Sequence, residues 1–221
     1  MNIGEIQLKW LGHSGFLIKN SKVIYIDPYN IKEGSEKADI ILISHSHYDH
    51  CSVADIKSII KEGTKIILTA DSQSKITRFE TPMDIHIVEP NQEMAFGEIK
   101  IATVPAYNID KAFHRQSEGW VGFLIKMNDT IIYFAGDTDL IPEMQKLTGH
   151  KQPDKKFVAI LPIGGRFTMN AEEAAEAAKL IKPSIAIPMH YGSIIGDRSD
   201  AEEFEKLCKE EGIDARILEK E

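Results

Sequence analysis

The chain has 221 residues, with 34 acidic and 26 basic side chains and a formal net charge of −8. This charge argues against broad electrostatic binding to nucleic acid or to an anionic membrane, because both are negatively charged. The hydrophobic share of 43% and the charged share of 27% are typical of a folded globular protein. No apolar segment approaches the ~18 residues that a membrane span needs, and the N-terminus does not resemble a signal peptide.

The cysteine content indicates a reducing compartment. Cys51 and Cys208 are the only two cysteines, and they provide no disulfide framework in a chain of this length. Cys51 adjoins His50, and we expect a small buried residue there rather than a thiolate ligand. The sequence therefore predicts a cytoplasmic protein and leaves the oligomeric state open.

The first third of the chain is predicted to be mostly strands. Residues 16–28 (FLIKNSKVIYIDP) predict two strands joined by a polar turn. Residues 39–44 (DIILIS) and 64–70 (TKIILTA) are apolar runs rich in β-branched residues, typical of buried strands. Residues 52–63 between them predict a helix with Ser52 as its cap and a glycine, at position 63, as its end. This is a β-α-β unit.

A second copy of the pattern follows later in the chain. GFLIKNSKVIYID (15–27) has a close counterpart in GFLIKMNDTIIYFAGD (122–137), with five identical residues in a row. An apolar segment (157–165) and a strand (184–190) flank a helix over 170–183, for which Asn170 and Glu173 predict a capping box. Drift of unrelated strands into similar composition is the alternative, but we favour duplication.

The duplication predicts the fold class. Each half would contribute a sheet covered by helices on one side, which gives a four-layer α/β/β/α sandwich in which strand-end loops of both halves meet. A final helix over 201–211, capped by Asp200, would cover the outside. No linker is evident, so we predict one domain over residues 1–221.

The segment SHSHYDH (44–50) carries the strongest chemical signal. His45 and His47 alternate, so an extended chain presents both to one side, and Asp49 and His50 follow on the turn before the predicted helix. Imidazole and carboxylate together suit Zn²⁺, Mn²⁺ or Fe²⁺, whereas Ca²⁺ prefers oxygen ligands alone. The segment therefore predicts a metal site rather than a polar loop.

This motif resembles that of the metallo-β-lactamase superfamily, whose fold is the duplicated four-layer sandwich. IYIDP, YFAGDTD and IPMHYG follow the order of the other motifs of that superfamily, with Asp27, Asp137 and His190 at the matching positions. LPIGGRFTMNAEEAA is most similar to the branch of small metal-dependent hydrolases related to ascorbate-6-phosphate lactonase. The resemblance covers essentially the whole chain.

The resemblance implies two divalent ions, zinc above all, with manganese or iron as alternatives. His45 and His47 would hold the first ion, a second set of three residues would hold the second ion, and Asp137 would bridge them. That second set is Asp49, His50 and His190. Asp27 would orient the ligand loop from outside the coordination sphere, or alternatively stabilise the turn before Pro28.

The third motif departs from the pattern of the superfamily. In TVPAYNIDKAFHRQ, Asn108 stands where a histidine is expected, and the next histidine is His114. Either His114 folds back as the third ligand of the first ion, or that site lacks an imidazole and is weaker; we favour His114. We expect His13 to be structural or a neighbour of the substrate pocket, and neither His86 nor His150 to be a ligand.

The predicted activity is hydrolysis by a metal-bound hydroxide, with Asp49 as the catalytic residue that positions it. Two ions, two aspartates and a hydroxide sum to a net charge of +1, which favours a small anionic ester, lactone or phosphoester. Arg166 would clamp an anion or form a surface salt bridge, and Tyr107, Asn108 and Tyr191 lie on loops predicted to contact substrate. A nucleic acid phosphodiesterase and a non-catalytic, metal-stabilised binding domain stay open as alternatives.

Overall fold

The computed structural model describes residues 1–221 and divides them into two compact units. Unit 1 consists of Met1–Val88 together with Leu218–Glu221, and unit 2 consists of Glu89–Ile217. None of the helices combines the length and the apolar character that crossing a membrane requires. That residues 1–221 form a single hydrolase domain stays a prediction.

Unit 1 contains a seven-stranded mixed sheet whose strands are neighbours in chain order. Its strands are β1 (Asn2–Ile3), β2 (Ile6–Gly12), β3 (Gly15–Lys19), β4 (Val23–Ile26), β5 (Ile40–Ile43), β6 (Lys65–Leu68) and β7 (Asp84–Ile87). The pairs from β1 to β4 are antiparallel, and those from β4 to β7 are parallel. Helices α1 (Val53–Ile59) and α2 (Ala70–Ile76) connect the parallel strands.

Unit 2 contains a six-stranded mixed sheet of order β13-β12-β11-β10-β9-β8. Its strands are β8 (Glu93–Phe96), β9 (Ile99–Pro105), β10 (Val121–Met127), β11 (Thr130–Phe134), β12 (Lys156–Pro162) and β13 (Ile185–Met189). The β11–β12 and β12–β13 pairs are parallel, and the others are antiparallel. Helices α3 (Ala171–Ile181) and α4 (Arg198–Glu210) complete the unit, with 3-10 turns at Gln116–Glu118 and Pro142–Leu147.

The two sheets repeat one pairing scheme, which confirms the prediction of two similar halves. The two GFLIK segments lie on β3 and β10, and each of these strands has an antiparallel neighbour on both sides. Two parallel strands follow in each unit, β5 and β6 in the first and β12 and β13 in the second. The chain is an α/β protein with two mixed sheets and flanking helices, as predicted.

The core of unit 1 shows why the β-branched runs form strands. Every residue of β4 and β5 is buried, as expected for parallel strands covered on both faces. Helix α1 buries Ile56 and Ile59 in the same apolar cluster as Tyr25, Ile41 and Ile66. Removing each isoleucine side chain from water contributes roughly 1.5–3 kcal/mol to folding.

Helix ends were predicted less well than helix positions. Ser52 caps α1, but the helix ends at Ile59 and not at Gly63, because Ile60 turns to extended backbone while staying buried. The capping box of Asn170 and Glu173 on α3 is confirmed. Helix α4 begins earlier than predicted: Asp197 is its cap, and Asp200 is the capping-box partner of Asp197 instead of the cap.

Asp39, at the start of β5, allows a test of the charged contacts around this sheet. Its carboxylate accepts hydrogen bonds from the Val23 backbone N–H at 2.9 Å and from Lys61 Nζ at 2.8 Å. Although burial by itself would raise the pKa of Asp39, these two donors hold the pKa below its usual value. The stability that Asp39 contributes is therefore present above pH ~4 and is lost as the pH falls through the lowered folded-state pKa.

We predict that Asp39→Asn lowers the free energy of unfolding at pH 7 by about 1 kcal/mol. The difference from wild type should shrink toward pH 3, where the wild-type carboxyl becomes protonated. Urea unfolding at both pH values measures it, with Asp154→Asn at an exposed position as the control. A difference that does not depend on pH would contradict the ionic origin.

Candidate metal centre

Asp27 links the two strand ends from which the histidine-rich loop of unit 1 begins. It follows β4, it is fully buried, and its backbone N–H donates to the Leu42 carbonyl on β5. Its carboxylate accepts a hydrogen bond from the Ser44 backbone N–H at 2.8 Å, one from Ser44 Oγ at 2.5 Å and one from His50 Nδ1 at 2.7 Å. Burial raises the pKa of Asp27, and the hydrogen bonds from His50 and Ser44 oppose that rise.

These hydrogen bonds determine which ring nitrogens of two histidines carry protons. His50 donates through Nδ1 to Asp27, which leaves Nε2 as the acceptor of a neutral ring. The hydroxyl proton of Ser44 goes to Asp27, so Ser44 Oγ must accept from His45 Nδ1, 2.9 Å away. His45 Nε2 is then also an acceptor. One buried carboxylate therefore prepares two imidazoles to bind a cation.

The acceptor atoms of unit 1 lie close together. His45 Nε2 is 3.1 Å from His47 Nδ1, and His50 Nε2 is 3.4 Å from Asp49 Oδ2. Asp27, His45 and His50 offer donor atoms within 4.8 Å of one another. A lone pair that faces a carboxylate oxygen in a buried place needs a proton or a metal cation between the two atoms.

His13 is a residue of this site that the sequence did not assign to it. Its Nε2 atom lies 2.9 Å from Asp49 Oδ2, and the ring is buried. It lies in the tight turn between β2 and β3 with a φ of 51°, and Trp10 Nε1 donates to its carbonyl at 2.9 Å. Because the turn residues Gly-His-Ser-Gly are local signals only, nothing in the sequence indicated that this ring reaches Asp49.

In unit 2, His114 is oriented in a comparable way by a backbone carbonyl. His114 Nδ1 lies 2.8 Å from the Phe167 carbonyl, which can only accept, so Nδ1 carries the proton. His114 Nε2 then faces Asp137 Oδ2 at 3.3 Å, and His190 Nε2 lies 3.1 Å from the same oxygen. All three side chains are almost completely buried. They form a second acceptor cluster that suits a metal cation.

Asn108 supports this cluster instead of replacing the missing histidine. Its Nδ2 donates to the Phe167 carbonyl at 2.7 Å and to the Phe113 carbonyl at 3.0 Å, and its backbone N–H donates to the His114 carbonyl at 2.7 Å. Asp139 holds the same loop by accepting from the Ile109 backbone N–H at 2.9 Å. The six-residue offset between Asn108 and His114 is therefore bridged by a hydrogen-bonded loop that carries His114 to Asp137.

His190 depends on a glycine of the neighbouring strand end. A Cβ atom at Gly164 would lie 2.7 Å from the His190 carbonyl and 2.8 Å from His190 Nδ1, closer than real Cβ contacts. The GG pair after β12 is therefore required by the packing of the histidine at the end of β13.

Of the residues predicted to bind substrate, only Arg166 is well exposed. Its guanidinium carbon lies 5.1 Å from the centroid of the Phe167 ring, and no carboxylate pairs with it. Tyr107 donates its hydroxyl to Glu143 at 2.9 Å, and burial followed by the Glu143 contact raises its pKa. Tyr191 is buried. Substrate contacts of Tyr107 and Tyr191 stay predictions.

Other predicted minor residues have ordinary surroundings. His86 Nε2, on β7, lies 3.1 Å from Asp84 Oδ2, and the His150 ring lies 5.4 Å from the ring of Phe157. Cys51 is a buried free cysteine whose thiol pKa burial raises to about 11, so it stays protonated near neutral pH.

Backbone strain marks the same residues. Eight residues other than glycine have positive φ, and four of these are three asparagines and the helix-ending Lys182, where such values are ordinary. The other four are His13, Asp27, His114 and His190. Left-handed backbone costs a side chain roughly 1–3 kcal/mol and persists where a function requires it.

Comparison with known proteins agrees with this chemistry. The family model described as "Beta-lactamase superfamily domain" matches residues 7–190. UPF0173 metal-dependent hydrolases of Archaeoglobus fulgidus and Nanoarchaeum equitans are 32% and 35% identical to the chain. The first match covers 96% of this chain and 95% of the relative, and the second covers 98% of both.

Solved structures show the same fold. A Parabacteroides distasonis protein assigned as a metal-dependent hydrolase is 29% identical, with a TM-score of 0.83 over 97% of this chain and 94% of its own. The metallo hydrolase Igni18 of Ignicoccus hospitalis is 26% identical, with a TM-score of 0.76 over 97% and 95%. The chain belongs to the metallo-β-lactamase superfamily and is a metal-dependent hydrolase. The predicted kinship with ascorbate-6-phosphate lactonase stays a prediction.

His114→Ala tests whether this loop completes the ligand set. We predict that the variant binds less metal per chain than wild type, because the loop offers no other imidazole. Metal content after dialysis against a limiting zinc buffer measures the loss. His150→Ala, which removes a histidine of unit 2 outside the cluster, is the control; equal metal content in both variants would contradict the assignment.

Asp27→Asn tests the orienting carboxylate. The amide keeps the shape but weakens the acceptor for His50 and Ser44, so we predict that metal affinity falls about 10–100-fold. Competition with a chromophoric chelator measures the affinity, and Asp84→Asn is the matched control. Unchanged affinity together with a lowered melting temperature would show that Asp27 is a turn residue only.

Proposed function

We propose that the enzyme hydrolyses a small anionic ester, lactone or phosphoester with two divalent ions, most simply zinc. The observation that carries this proposal is the set of buried acceptor atoms that face each other, exemplified by His50 Nε2 and Asp49 Oδ2 at 3.4 Å. Imidazole and carboxylate ligands suit zinc, with manganese and iron as further candidates.

The ligands divide between the two units. In this proposal His45, His47 and His114 hold the first ion, Asp137 is shared, and three residues hold the second ion, namely Asp49, His50 and His190. Asp27 orients His45 and His50, while the Phe167 carbonyl orients His114. Bound ions of this kind supply a nucleophile by lowering the pKa of water to about 7 and stabilise the negative charge of the transition state.

Asp49 is the residue that we propose to act on the attacking water. Its carboxylate can accept a hydrogen bond from that water and direct a lone pair at the substrate. The contact from His13 Nε2 at 2.9 Å holds the carboxylate in place, so Asp49 does not have to be ordered by the substrate. A site that only stabilised a fold would need no such positioned carboxylate.

The charge of the proposed centre favours an anionic substrate. Two ions contribute +4, and Asp49, Asp137 and a hydroxide contribute −3, which leaves +1 in a chain of formal charge −8. Arg166, exposed and without a carboxylate partner, adds a second positive group. We expect a small-molecule substrate and neither nucleic acid nor a membrane as partner.

The proposed compartment is the cytoplasm. Both cysteines are free and buried, which suits a reducing environment.

Chelation and substitution of Asp49 test the proposal. We predict that wild type hydrolyses a generic lactone or aryl phosphodiester, that chelation abolishes the activity and that zinc restores it. Asp49→Asn should lower kcat about 10²–10⁴-fold, because the attacking water loses its acceptor. Metal content of the variant separates this effect from metal loss, and Asp129→Asn is the exposed control.

Three outcomes would decide against this mechanism. Turnover that survives Asp49→Asn would contradict the role of Asp49. Metal binding without hydrolysis of any substrate would favour the non-catalytic binding domain. Robust cleavage of DNA or RNA at low salt would favour the nucleic acid phosphodiesterase.

A further inference from the structure

An exposed apolar group surrounds the loop that carries His114. Ile109 and Phe113 are 54% and 44% exposed, unusual values for side chains of their size. The Phe113 and Phe167 rings meet edge to face with centroids 4.9 Å apart, and Arg166 lies over Phe167. We call Ile109, Phe113, Arg166 and Phe167 the aromatic rim.

The backbone of the rim is fixed by the buried residues beneath it. The Phe113 carbonyl accepts from Asn108 Nδ2, and the Phe167 carbonyl accepts from both Asn108 Nδ2 and His114 Nδ1. The two aromatic residues are therefore held in position by the same atoms that orient the proposed ligand His114. Their exposure is a property of an ordered loop.

Asn108 supplies an independent indication of a ligand. The residue is 5% exposed, and its Oδ1 atom is buried without a hydrogen-bond partner. The amide orientation is fixed because Nδ2 faces two carbonyl oxygens, so Oδ1 is the end left over. Buried acceptors in native proteins are nearly always paired, and an unpaired one beside a proposed metal site indicates a ligand with a donor group.

We propose that the aromatic rim binds an apolar, preferably aromatic, group of the anionic substrate, while Asn108 Oδ1 accepts a hydrogen bond from it. Phe113 and Phe167 offer ring faces and edges for stacking. Arg166 presents its guanidinium to an anion while its flat side rests on Phe167. This inference rests on the proposed function and narrows its substrate class from small anions to anions that carry a ring or a branched apolar group.

Binding of two phosphonates tests the rim without any turnover. Phenylphosphonate and methylphosphonate share the anionic group and differ in the ring, and calorimetry gives the dissociation constant of each for the zinc-loaded protein. We expect phenylphosphonate to bind about tenfold more tightly. Equal affinities, or no binding of phenylphosphonate, would overturn the proposal.

Three variants assign the preference to the rim. Phe113→Ala should reduce the phenyl-to-methyl ratio to within about twofold of unity, and because the ring is exposed the fold should be retained. Arg166→Ala should weaken both phosphonates by a similar factor and keep the ratio. Ile87→Ala, at an apolar position of β7 that is 47% exposed, is the control and should leave both constants unchanged. A ratio that survives Phe113→Ala would overturn the proposal.

Removal of zinc separates this inference from the proposed function. If the metal centre is as proposed, chelation should weaken both phosphonates, while the preference for the ring persists. Binding that is indifferent to chelation but keeps the ring preference would count against the metal centre and leave the rim intact. Loss of the ring preference in the zinc-loaded protein would count against the rim alone.

Discussion

The hydrogen bonds of one buried carboxylate determine the state of the first ligand cluster. Asp27 accepts from His50 directly and reaches His45 through the hydroxyl of Ser44, so it controls the tautomers of two rings from outside their metal-binding faces. Because Asp27 is also bonded to β5 through Leu42, the sheet and the ligand loop share one anchor. The charged form of this carboxylate is disfavoured by burial, and its donors offset that cost.

The second half of the chain reaches the same result with different atoms. Its sheet repeats the strand pairing of the first half, yet the orienting acceptor of His114 is the carbonyl of Phe167 and not a side chain. A backbone carbonyl has no charge to desolvate and cannot be lost by substitution of a side chain. The duplication therefore conserved the scaffold and left each half to solve the orientation of its histidines separately.

The sequence predicted the scaffold because its signals are local. Buried β-branched runs, the capping box at Asn170 and the repeated GFLIK segments are patterns of neighbouring residues, and all correspond to elements of the structure. Helix α2 was missed because only Ser72 and Ile76 of its residues are buried, too few to produce an apolar period. The end of α1 was misplaced because tertiary burial of Ile60 outweighed the glycine signal.

The site was predictable by residue type but not by contact. Histidines and aspartates at strand ends indicated a metal centre, and the choice of His114 over Asn108 agrees with the tautomer and the neighbours found for His114. The contact of His13 with Asp49 and the use of the Phe167 carbonyl depend on turns with left-handed backbone. Such turns are formed by the whole fold, so no short stretch of sequence reveals them.

The left-handed conformations at His13, Asp27, His114 and His190 have a consequence for the life of the enzyme in the cell. Glycine would adopt each of them at no steric cost, so a chain selected for the stability of its metal-free form would carry glycine there. A bound ion stabilises only the folded chain, by an amount that grows with the logarithm of the free ion concentration. Metal supply thereby becomes a determinant of the abundance of the enzyme, since chains that fold without ions are the first to unfold and be degraded.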